Sequence, residues 1–145
     1  MLDSLRKIIQ EVNAAPDLEQ ALKIIVARVC ETVGVDVSTV YLVDSQHGQF
    51  VLGATQGLRQ DAVGRVKLSL AKGLIGMVYE REEPVNIEDA PSHPRYIFIS
   101  ETGENPYHGF LGVPIIRHGK VLGVLVVRQR KVRKFDEDEE AFRGL

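Results

Sequence analysis

The segment from Gly109 to Val127 constrains the fold more than any other part of the chain. Two runs rich in β-branched and other apolar residues flank the dipeptide His118-Gly119. Glycine accepts the positive φ that a two-residue hairpin turn requires, so the segment predicts a β-hairpin in which Arg117 pairs with Lys120. Because both strands are apolar almost throughout, both of their faces are expected to be covered. The hairpin is therefore predicted to lie at the centre of a sheet.

Three residues interrupt the apolar strands of this hairpin. Gly112 and Gly123 stand among bulky neighbours, and Pro114 lies within the first strand. Glycine inside a strand marks a bend or the close approach of another group, whereas proline removes a ladder hydrogen bond. We therefore expect a neighbour packed tightly against the hairpin, and a bulge or a gap in the pairing near Pro114.

The composition is that of one globular domain of ordinary size. The chain has 145 residues, of which 44% are hydrophobic and 26% are charged, enough to bury a core. A formal net charge of −2 gives no reason to expect nucleic acid or an anionic membrane as a partner. The apolar runs are too short to span a bilayer, and we do not expect the first residues to act as a signal peptide. With one cysteine, Cys30, the sequence predicts a cytoplasmic protein without internal disulfides.

Periodicity and capping residues predict the other regular elements. One helix begins after Asp17, with Gln20 in capping-box position, and ends at Gly34, since glycine accepts a left-handed conformation. A second helix with two glycines is predicted at Lys72–Arg81. Further strands are predicted at Val37–Val43, Phe50–Thr55, Val66–Leu68 and Pro84–Ile87. Consecutive hairpins with segregated helices indicate an α+β fold in which helices cover an antiparallel sheet.

The stretch from Glu88 to His108, called the crossover below, breaks this regular pattern. It contains three prolines and no sustained periodicity, and connections of this length are uncommon unless they are functional or disordered. Its aromatic and aliphatic residues make it too apolar for a solvated linker. We expect the crossover to fold back over the sheet, with one helical turn near Pro94–Ile99.

Both ends of the chain carry helical signals. An apolar seam at helical spacing near the start fits either packing within the domain or a dimer helix. The seam consists of Leu2, Leu5, Ile9 and Val12. Asp136 and Glu139 have capping-box spacing and predict the start of a last helix. Because barely two turns fit before Leu145, we expect either that the chain is a fragment of a longer protein or that this end is frayed.

No motif of nucleotide binding or nucleophilic catalysis is present. The chain lacks the glycine-rich phosphate loops of nucleotide triphosphate and dinucleotide sites, and it lacks G-x-S-x-G. The four histidines are scattered over turns and loops without metal-ligand spacing. Cys30 lies beside the apolar stripe of its helix and is interpreted as a small buried hydrophobe. We therefore predict no catalytic residue, no metal and no cofactor.

The order of elements resembles that of a known family. A helix and strand with the sequence GLIGMVYEREEPVNIEDA precede the long crossover and the hairpin FLGVPIIRHGKVLGVLVV. This arrangement resembles a GAF domain over nearly the whole chain, and the start, MLDSLRKIIQEVNAAPDLEQAL, resembles the GAF domains that open phosphoenolpyruvate–protein phosphotransferases of the nitrogen phosphotransferase system. The resemblance implies one GAF domain over residues 1–145. It also implies about five or six strands, with the terminal helices on one face and the short helix and crossover on the other.

The resemblance implies a regulatory input module that is not itself an enzyme. Its expected effector is glutamine or 2-oxoglutarate, sensed as a measure of nitrogen status. Its expected output is the autophosphorylation of phosphotransferase domains that follow in cis, so the whole protein is expected to be a phosphoenolpyruvate–protein phosphotransferase. GAF domains also tend to dimerise through their first and last helices, which favours a homodimer that uses the N-terminal seam.

Ligands of GAF domains generally lie between the sheet and the crossover side, and this placement selects candidate residues. The floor is expected from the first strand and from Phe110, and one wall from Ile75 and Val78. Asp89 suits an ammonium group and Arg95 a carboxylate, as an amino-acid ligand requires. Alternatively, Asp89 is a turn cap, and Arg95 is a surface residue or forms an ion pair with Asp89.

Aromatic residues of the crossover complete the predicted site. Tyr96 and Tyr107 can bind an amide or line the pocket, and Phe98 lies between them in sequence. For Tyr96 and Phe98 the alternative is packing within a lid, without a ligand. The identity of any ligand is therefore expected to depend mainly on the crossover.

Other functions on the same fold remain as alternatives. A dimerisation or interaction scaffold would fill the pocket with its own side chains and leave no cavity. Cyclic nucleotides bind some GAF domains, although nothing in the sequence singles out a purine. A bilin chromophore needs a cysteine in a different element from Cys30, and the methionine-sulfoxide reductases of this fold use several cysteines.

Overall fold

The computed structural model describes residues 2–98 and 107–140, and the side chains of all of these except residues 2–6, 9 and 138. The helices of this part are α1 (Leu2–Ala14), α2 (Leu18–Val33), α3 (Gly73–Arg81) and α4 (Glu137–Glu140). The strands are β1 (Val37–Asp44), β2 (Gln49–Gln56), β3 (Lys67–Ser69), β4 (Val85–Ile87), β5 (Gly109–Arg117) and β6 (Lys120–Gln129). Single turns of 3-10 helix lie at Gln60–Ala62 and Ala90–Ser92.

The strands form one antiparallel sheet in the order β3-β2-β1-β6-β5-β4. The predicted hairpin of β5 and β6 lies within this sheet, because β6 also pairs with β1 and β5 with β4. Arg117 pairs with Lys120, and the turn residues His118 and Gly119 have φ values of 52° and 77°. The position of the hairpin and its two-residue turn are therefore confirmed.

The hairpin contains a bulge near Pro114 but not at it. Pro114 itself pairs in register with Val124. The register shifts after Ile115, which pairs with Gly123, so Leu122 becomes the extra residue on β6. β4 pairs with β5 only at residues 110–112, so Pro114 lies where the outer side of β5 has no strand partner in the described part of the chain. Proline is tolerated at such an edge, which explains the undisturbed register there.

Alternation along the strands gives the sheet two apolar faces. α1 and α2 pack on one face, over residues such as Val40 and Leu125. α3 packs on the opposite face, over Tyr41 and Val126, which are the sequence neighbours of that first pair. The predicted α+β architecture is confirmed, with the long helices on one side and the short helix and crossover on the other.

Capping residues set the ends of α2 as the sequence predicts. The Asp17 carboxylate accepts a hydrogen bond from the backbone N–H of Gln20 at 2.8 Å. At the other end Gly34 has a φ of 72°, and its N–H donates to the carbonyl of Cys30 at 2.9 Å. Both predicted boundaries of this helix are confirmed.

The crossover differs from the prediction in the position of its helical turn. We expected a turn near Pro94–Ile99, but the 3-10 turn lies at Ala90–Ser92, and Ile99 lies outside the described residues. Pro91 stands at the start of this turn, where its fixed φ and missing N–H are compatible with helical geometry. Pro91, not Pro94, therefore opens the turn.

The N-terminal seam is only partly within the described side chains. Leu2, Leu5 and Ile9 lie outside them. Val12 is partly buried and packs on the α2 side of the core, and its neighbour Ile8 is 2% exposed. Homodimerisation through this seam stays a prediction. Within the described ranges, no helix has the length and apolar content needed to cross a membrane.

Gly112 explains how α3 approaches the sheet so closely. A Cβ atom at Gly112 would lie 2.6 Å from Cγ2 of Val78, which is completely buried in α3. Such a separation is far inside van der Waals contact, so only glycine leaves room for the helix. The predicted close approach of a neighbour to the hairpin is confirmed, and that neighbour is α3.

Candidate functional site

A cavity of about 260 Å³ lies on the α3 side of the sheet, beneath the crossover. α3 contributes Leu74 and Ile75 to its wall, and β5 contributes Phe110. The crossover contributes Ala90, the segment Tyr96–Phe98 and Tyr107. The volume is slightly below the range usual for drug-sized ligands, and the aromatic walls are typical of small-molecule sites. The cavity therefore suits a metabolite.

Three cationic residues also line the cavity and come from separate elements. Lys67 lies on β3, Lys72 directly precedes α3, and Arg128 lies near the end of β6. β3 and β6 are three strand spacings apart, about 14 Å, so Arg128 and the lysines approach the cavity from different sides. Among the described lining residues there is no aspartate or glutamate. This lining favours an anionic ligand.

The first turn of α3 adds to this positive character. Gly73, Leu74 and Ile75 line the cavity, and the N–H groups of a first helical turn have no partner within the helix. The N-cap residue, Lys72, makes no side-chain hydrogen bond to that turn. The positive end of the helix dipole and these N–H groups add to the positive charge of the two lysines.

Five of the eight predicted ligand residues line the cavity. These are Ile75, Tyr96, Phe98, Tyr107 and Phe110. The other three, Val78, Asp89 and Arg95, do not, and none of the described lining residues comes from β1, which was expected to form the floor. Val78 lies one turn after Ile75 and faces Gly112, so the helix turns it into the core.

The Asp89 side chain contacts another residue of the crossover and does not line the cavity. Its carboxylate lies 2.8 Å from Nδ1 of His108, and the N–H of Ala90 donates to the carbonyl of His108 at 2.6 Å. The side chain makes no cap to the 3-10 turn. Asp89 therefore ties the two ends of the crossover together, a role that neither the ammonium-binding nor the turn-cap hypothesis described.

Arg95 is bound to α3 in an arrangement we call the crossover latch. Its guanidinium donates to both carboxylate oxygens of Glu80, at 2.9 and 3.2 Å, and to the carbonyl of Ala71 at 3.0 Å. The predicted alternative of an ion pair is thus observed, with Glu80 instead of Asp89 as the partner. The latch sets the position of Tyr96, Ile97 and Phe98, which follow directly and form the cavity wall.

Removing the latch is expected to raise the pKa of Glu80. The Arg95 hydrogen bonds are the main cause that lowers the pKa of this carboxyl. Because the pKa is lower in the folded state, the latch contributes stability above the usual glutamate pKa and loses it as the pH falls through the lowered value. An NMR titration of the Glu80 carboxyl in Arg95→Gln should show the pKa returning toward its ordinary range.

A second ion pair provides the control for this titration. Arg59 lowers the pKa of Asp61 through a similar two-point contact that involves no residue of the crossover. Arg59→Gln should raise the pKa of Asp61 and leave that of Glu80 unchanged. An unchanged Glu80 pKa in Arg95→Gln would show that the latch does not hold in solution.

Cys30 has none of the properties of a reactive or ligand-attaching thiol. It is not a described lining residue of the cavity, and its thiol lies 3.9 Å from the carbonyl of Gln56. Burial raises the pKa of the thiol from 9.0 to about 11, with Asp36 and Glu31 adding to the effect. Since the thiolate is the nucleophile, Cys30 is chemically quiet near neutral pH.

Alkylation measures this protection directly. At pH 8 the rise in pKa leaves about a hundredfold less thiolate than an unperturbed thiol would have. A thiolate of higher pKa is also more nucleophilic, which offsets part of this difference, so iodoacetamide should modify the folded chain at least about ten times more slowly than the same chain unfolded in urea. Equal rates in the two states would contradict the raised pKa of the half-buried thiol.

Metal binding receives no support from the described residues. No group of three or more histidine, cysteine, aspartate or glutamate side chains is placed to hold an ion there. His93 and His108, which both belong to the crossover, have other partners. His93 accepts the N–H of Arg95 at 3.1 Å, and His108 binds Asp89.

The chain is similar to known proteins over nearly its full length. It is 42% identical over 142 residues to the phosphoenolpyruvate-dependent phosphotransferase system protein of Escherichia coli K12, an alignment that covers 98% of this chain but 19% of that protein. The GAF domain of a phosphoenolpyruvate-protein phosphotransferase from Coxiella burnetii is 54% identical, with a TM-score of 0.92 over 97% of this chain and 84% of that one. The corresponding domain from Acinetobacter is 42% identical, with a TM-score of 0.90 and the same coverage.

These similarities agree with the order of elements predicted from the sequence. The chain spans about a fifth of the length of the curated relatives it matches. The family model for the GAF domain matches residues 17–142. The chain therefore belongs to the GAF domain family, and its relatives at 42–54% identity include GAF domains of phosphoenolpyruvate–protein phosphotransferases.

Proposed function

We propose that this GAF domain binds 2-oxoglutarate and thereby regulates phosphotransferase domains in the same polypeptide. The observation that carries the proposal is the cavity, whose apolar walls are combined with Lys67 and Lys72 on one side and Arg128 on another. A dicarboxylate places a negative charge at each end of a short carbon chain. Cations that approach from different sides match that charge distribution.

Glutamine fits the described lining less well than 2-oxoglutarate does. Both have a five-carbon backbone, but glutamine carries one carboxylate, an ammonium group and a neutral amide. A buried ammonium group needs an acceptor, usually a carboxylate, and the described part of the lining holds none. The predicted acid for that role, Asp89, is bound to His108. The geometry thus favours the 2-oxo acid among the two predicted effectors.

The regulatory role rests on the relatives. Each of the first two curated relatives is a phosphotransferase system protein about five times as long as the aligned region. We infer that this chain is the N-terminal domain of a similar cytoplasmic protein, in which nitrogen status controls autophosphorylation from phosphoenolpyruvate. Homodimerisation through α1 belongs to the same proposal.

Calorimetric titration of the chain with 2-oxoglutarate and glutamine tests the ligand assignment. We expect saturable binding of 2-oxoglutarate and weaker or no binding of glutamine. Lys72→Gln and Arg128→Gln should each weaken 2-oxoglutarate binding about tenfold or more, because each removes a charge-assisted hydrogen bond. Lys23→Gln, which changes an exposed lysine of α2, is the matched control and should bind as the wild type does.

Several results would contradict this assignment. Tighter binding of glutamine than of 2-oxoglutarate would reverse it, and the absence of heat with either ligand at millimolar concentration would remove both. Cyclic AMP and cyclic GMP are titrated in parallel, since saturable binding of either would favour the cyclic-nucleotide alternative. A scaffold with a self-filled pocket predicted no cavity, and the open volume beneath the crossover argues against it.

A further inference from the structure

The segment that leads into α4 is fastened to β4 by one asparagine. The Asn86 amide nitrogen donates to the carbonyl of Phe135 at 2.7 Å and to the Glu140 carboxylate at 3.0 Å. Its amide oxygen accepts the N–H of Phe135 at 3.2 Å. The Asn86 side-chain amide thus pairs with both the N–H and the carbonyl of Phe135, as a neighbouring strand would. Phe135 is 3% exposed, so this docking also buries its ring.

Arg133 fastens the same segment to the end of α2. Its guanidinium donates to the carbonyls of Val33 and Gly34, both at 3.1 Å, and to the Glu139 carboxylate at 2.5 Å. The guanidinium also lies over the ring of Phe135, 4.7 Å from its centroid. We call these contacts of Asn86 and Arg133 the C-terminal clamp. They fix residues 133–140 against the domain.

Glu139 completes the clamp by starting α4. Its carboxylate accepts the N–H of Asp136, and the Asp136 carboxylate accepts the N–H of Glu139, both at 2.8 Å. This is the reciprocal capping box that the sequence predicts. Because Glu139 binds Arg133 as well, the helix start and the clamp form one hydrogen-bonded unit.

The clamp reaches the cavity through the residues that follow β4. The carbonyl of Glu88 accepts the N–H of Arg133 at 3.1 Å. Two residues later, Ala90 is part of the cavity lining, and its N–H donates to His108. The N–H of His108 in turn donates to the carbonyl of Gln129 at 2.9 Å. The backbone of Glu88–Ala90, which is hydrogen-bonded to Arg133 at one end and to His108 at the other, therefore joins the docked segment to the cavity wall.

We propose that Glu88–Ala90 couples occupancy of the cavity to the docking of residues 133–140 by the C-terminal clamp. This rests on the proposed function, because it gives the regulated domain a physical output. A ligand that contacts the wall at Ala90 fixes the backbone to which Arg133 is bonded. Ligand binding therefore changes the free energy of docking residues 133–140. Thermodynamic linkage then requires the clamp to change ligand affinity by the same factor as the ligand changes clamp docking.

The first test needs no ligand and uses hydrogen exchange in Asn86→Ala. Coupling predicts that amide exchange rises about fivefold or more at Ala90 and His108, as well as at Arg133 and Phe135. The amide of Leu52, which donates to Val66 across the sheet, is the reference and should be unchanged. Asn13→Ala, at an exposed site on α1, is the control variant.

Two results of this test would overturn the coupling. One is a rise confined to residues 133–140, with Ala90 and His108 as in the wild type. The other is an equal rise at every amide including Leu52, which would mean general destabilisation. Glu140→Gln keeps an oxygen that can accept from the Asn86 amide but removes the charge that strengthens this hydrogen bond, so it should show the same pattern more weakly. A failure of Asn86→Ala to fold therefore leaves the test intact.

The second test adds 2-oxoglutarate to the wild-type chain. Saturation should change exchange at Arg133 and Phe135 about fivefold or more, and linkage then requires the docked and undocked states to differ in 2-oxoglutarate affinity by the same factor. Binding with no change at either amide would overturn the coupling while leaving the ligand assignment in place. If 2-oxoglutarate does not bind, the ligand assignment fails and the ligand-free test alone decides the coupling.

Discussion

Replacing Gly76 with alanine is expected to destabilise the domain by about 2 kcal/mol. In an ordinary helix the same change is stabilising by about 1 kcal/mol, so the predicted sign is opposite. A Cβ atom at Gly76 would lie 2.8 Å from the carbonyl oxygen of Leu70 and 2.8 Å from the carbonyl carbon of Ala71. These are backbone atoms, which cannot rotate away as a side chain can. α3 would have to move off the segment that leads into it.

Chemical and thermal unfolding measure this effect. For a domain of this size the melting temperature should fall by about 4–8 °C. Gly64→Ala is the control, because Gly64 has a φ of 77° but no atom within 4 Å of the added Cβ. It should show backbone strain of about 1 kcal/mol without a clash. A Gly76→Ala domain as stable as the wild type would show that α3 does not pack on residues 70–71 as described.

The same displacement should reach the cavity. Lys72 directly precedes α3, and Leu74 and Ile75 form part of the wall. Gly76→Ala is therefore expected to weaken 2-oxoglutarate binding, whereas Gly64→Ala leaves it unchanged. This links the packing of a single glycine to the geometry of the proposed ligand site.

Local signals explain why much of the fold is predictable from the sequence. The turn at His118-Gly119, the cap at Asp17 and the capping box at Asp136 each depend on residues that are close in sequence. The energies of such features are decided within a few residues, so the pattern identifies them directly. Gly112 is also predictable as a close approach, although not the identity of Val78 as its neighbour.

The charged part of the site is not predictable in this way. Lys67, Lys72 and Arg128 come from three elements, and only the strand order brings them to one cavity. In the sequence each looks like an ordinary surface cation. Lys72 alone carries a usable signal, because it directly precedes a helix N-terminus that lacks a capping side chain.

Partners far apart in sequence account for the remaining differences. Arg95 has Glu80 as its partner, fifteen residues away on another element, and Asp89 has His108 at the other end of the crossover. The helix face shared by Leu74, Ile75 and Val78 serves two purposes. Leu74 and Ile75 in the first turn line the cavity, whereas Val78 in the next turn packs against Gly112. A periodicity argument identifies the buried face but not which turn of that face is open to a ligand.

Arg133→Met is expected to destabilise the domain by about 2–3 kcal/mol. The methionine keeps much of the apolar stem but leaves the Glu139 carboxylate, which is 9% exposed, without its cation. It also leaves two carbonyls at the end of α2 without the donor that satisfies them. The value is at the lower end for a broken buried pair, because the Arg133 side chain is 29% exposed.

A double-mutant cycle separates the ionic contribution from the rest. Glu139→Gln keeps an oxygen that accepts the N–H of Asp136 but removes the charge, so Arg133→Met combined with Glu139→Gln should recover part of the lost stability. Lys23→Met breaks an exposed i,i+4 pair with Glu19 and should change stability by less than about 0.5 kcal/mol. If Arg133→Met costs no more than Lys23→Met, Arg133 does not anchor residues 133–140, and the docked position of α4 must depend on Asn86 and the burial of Phe135 alone.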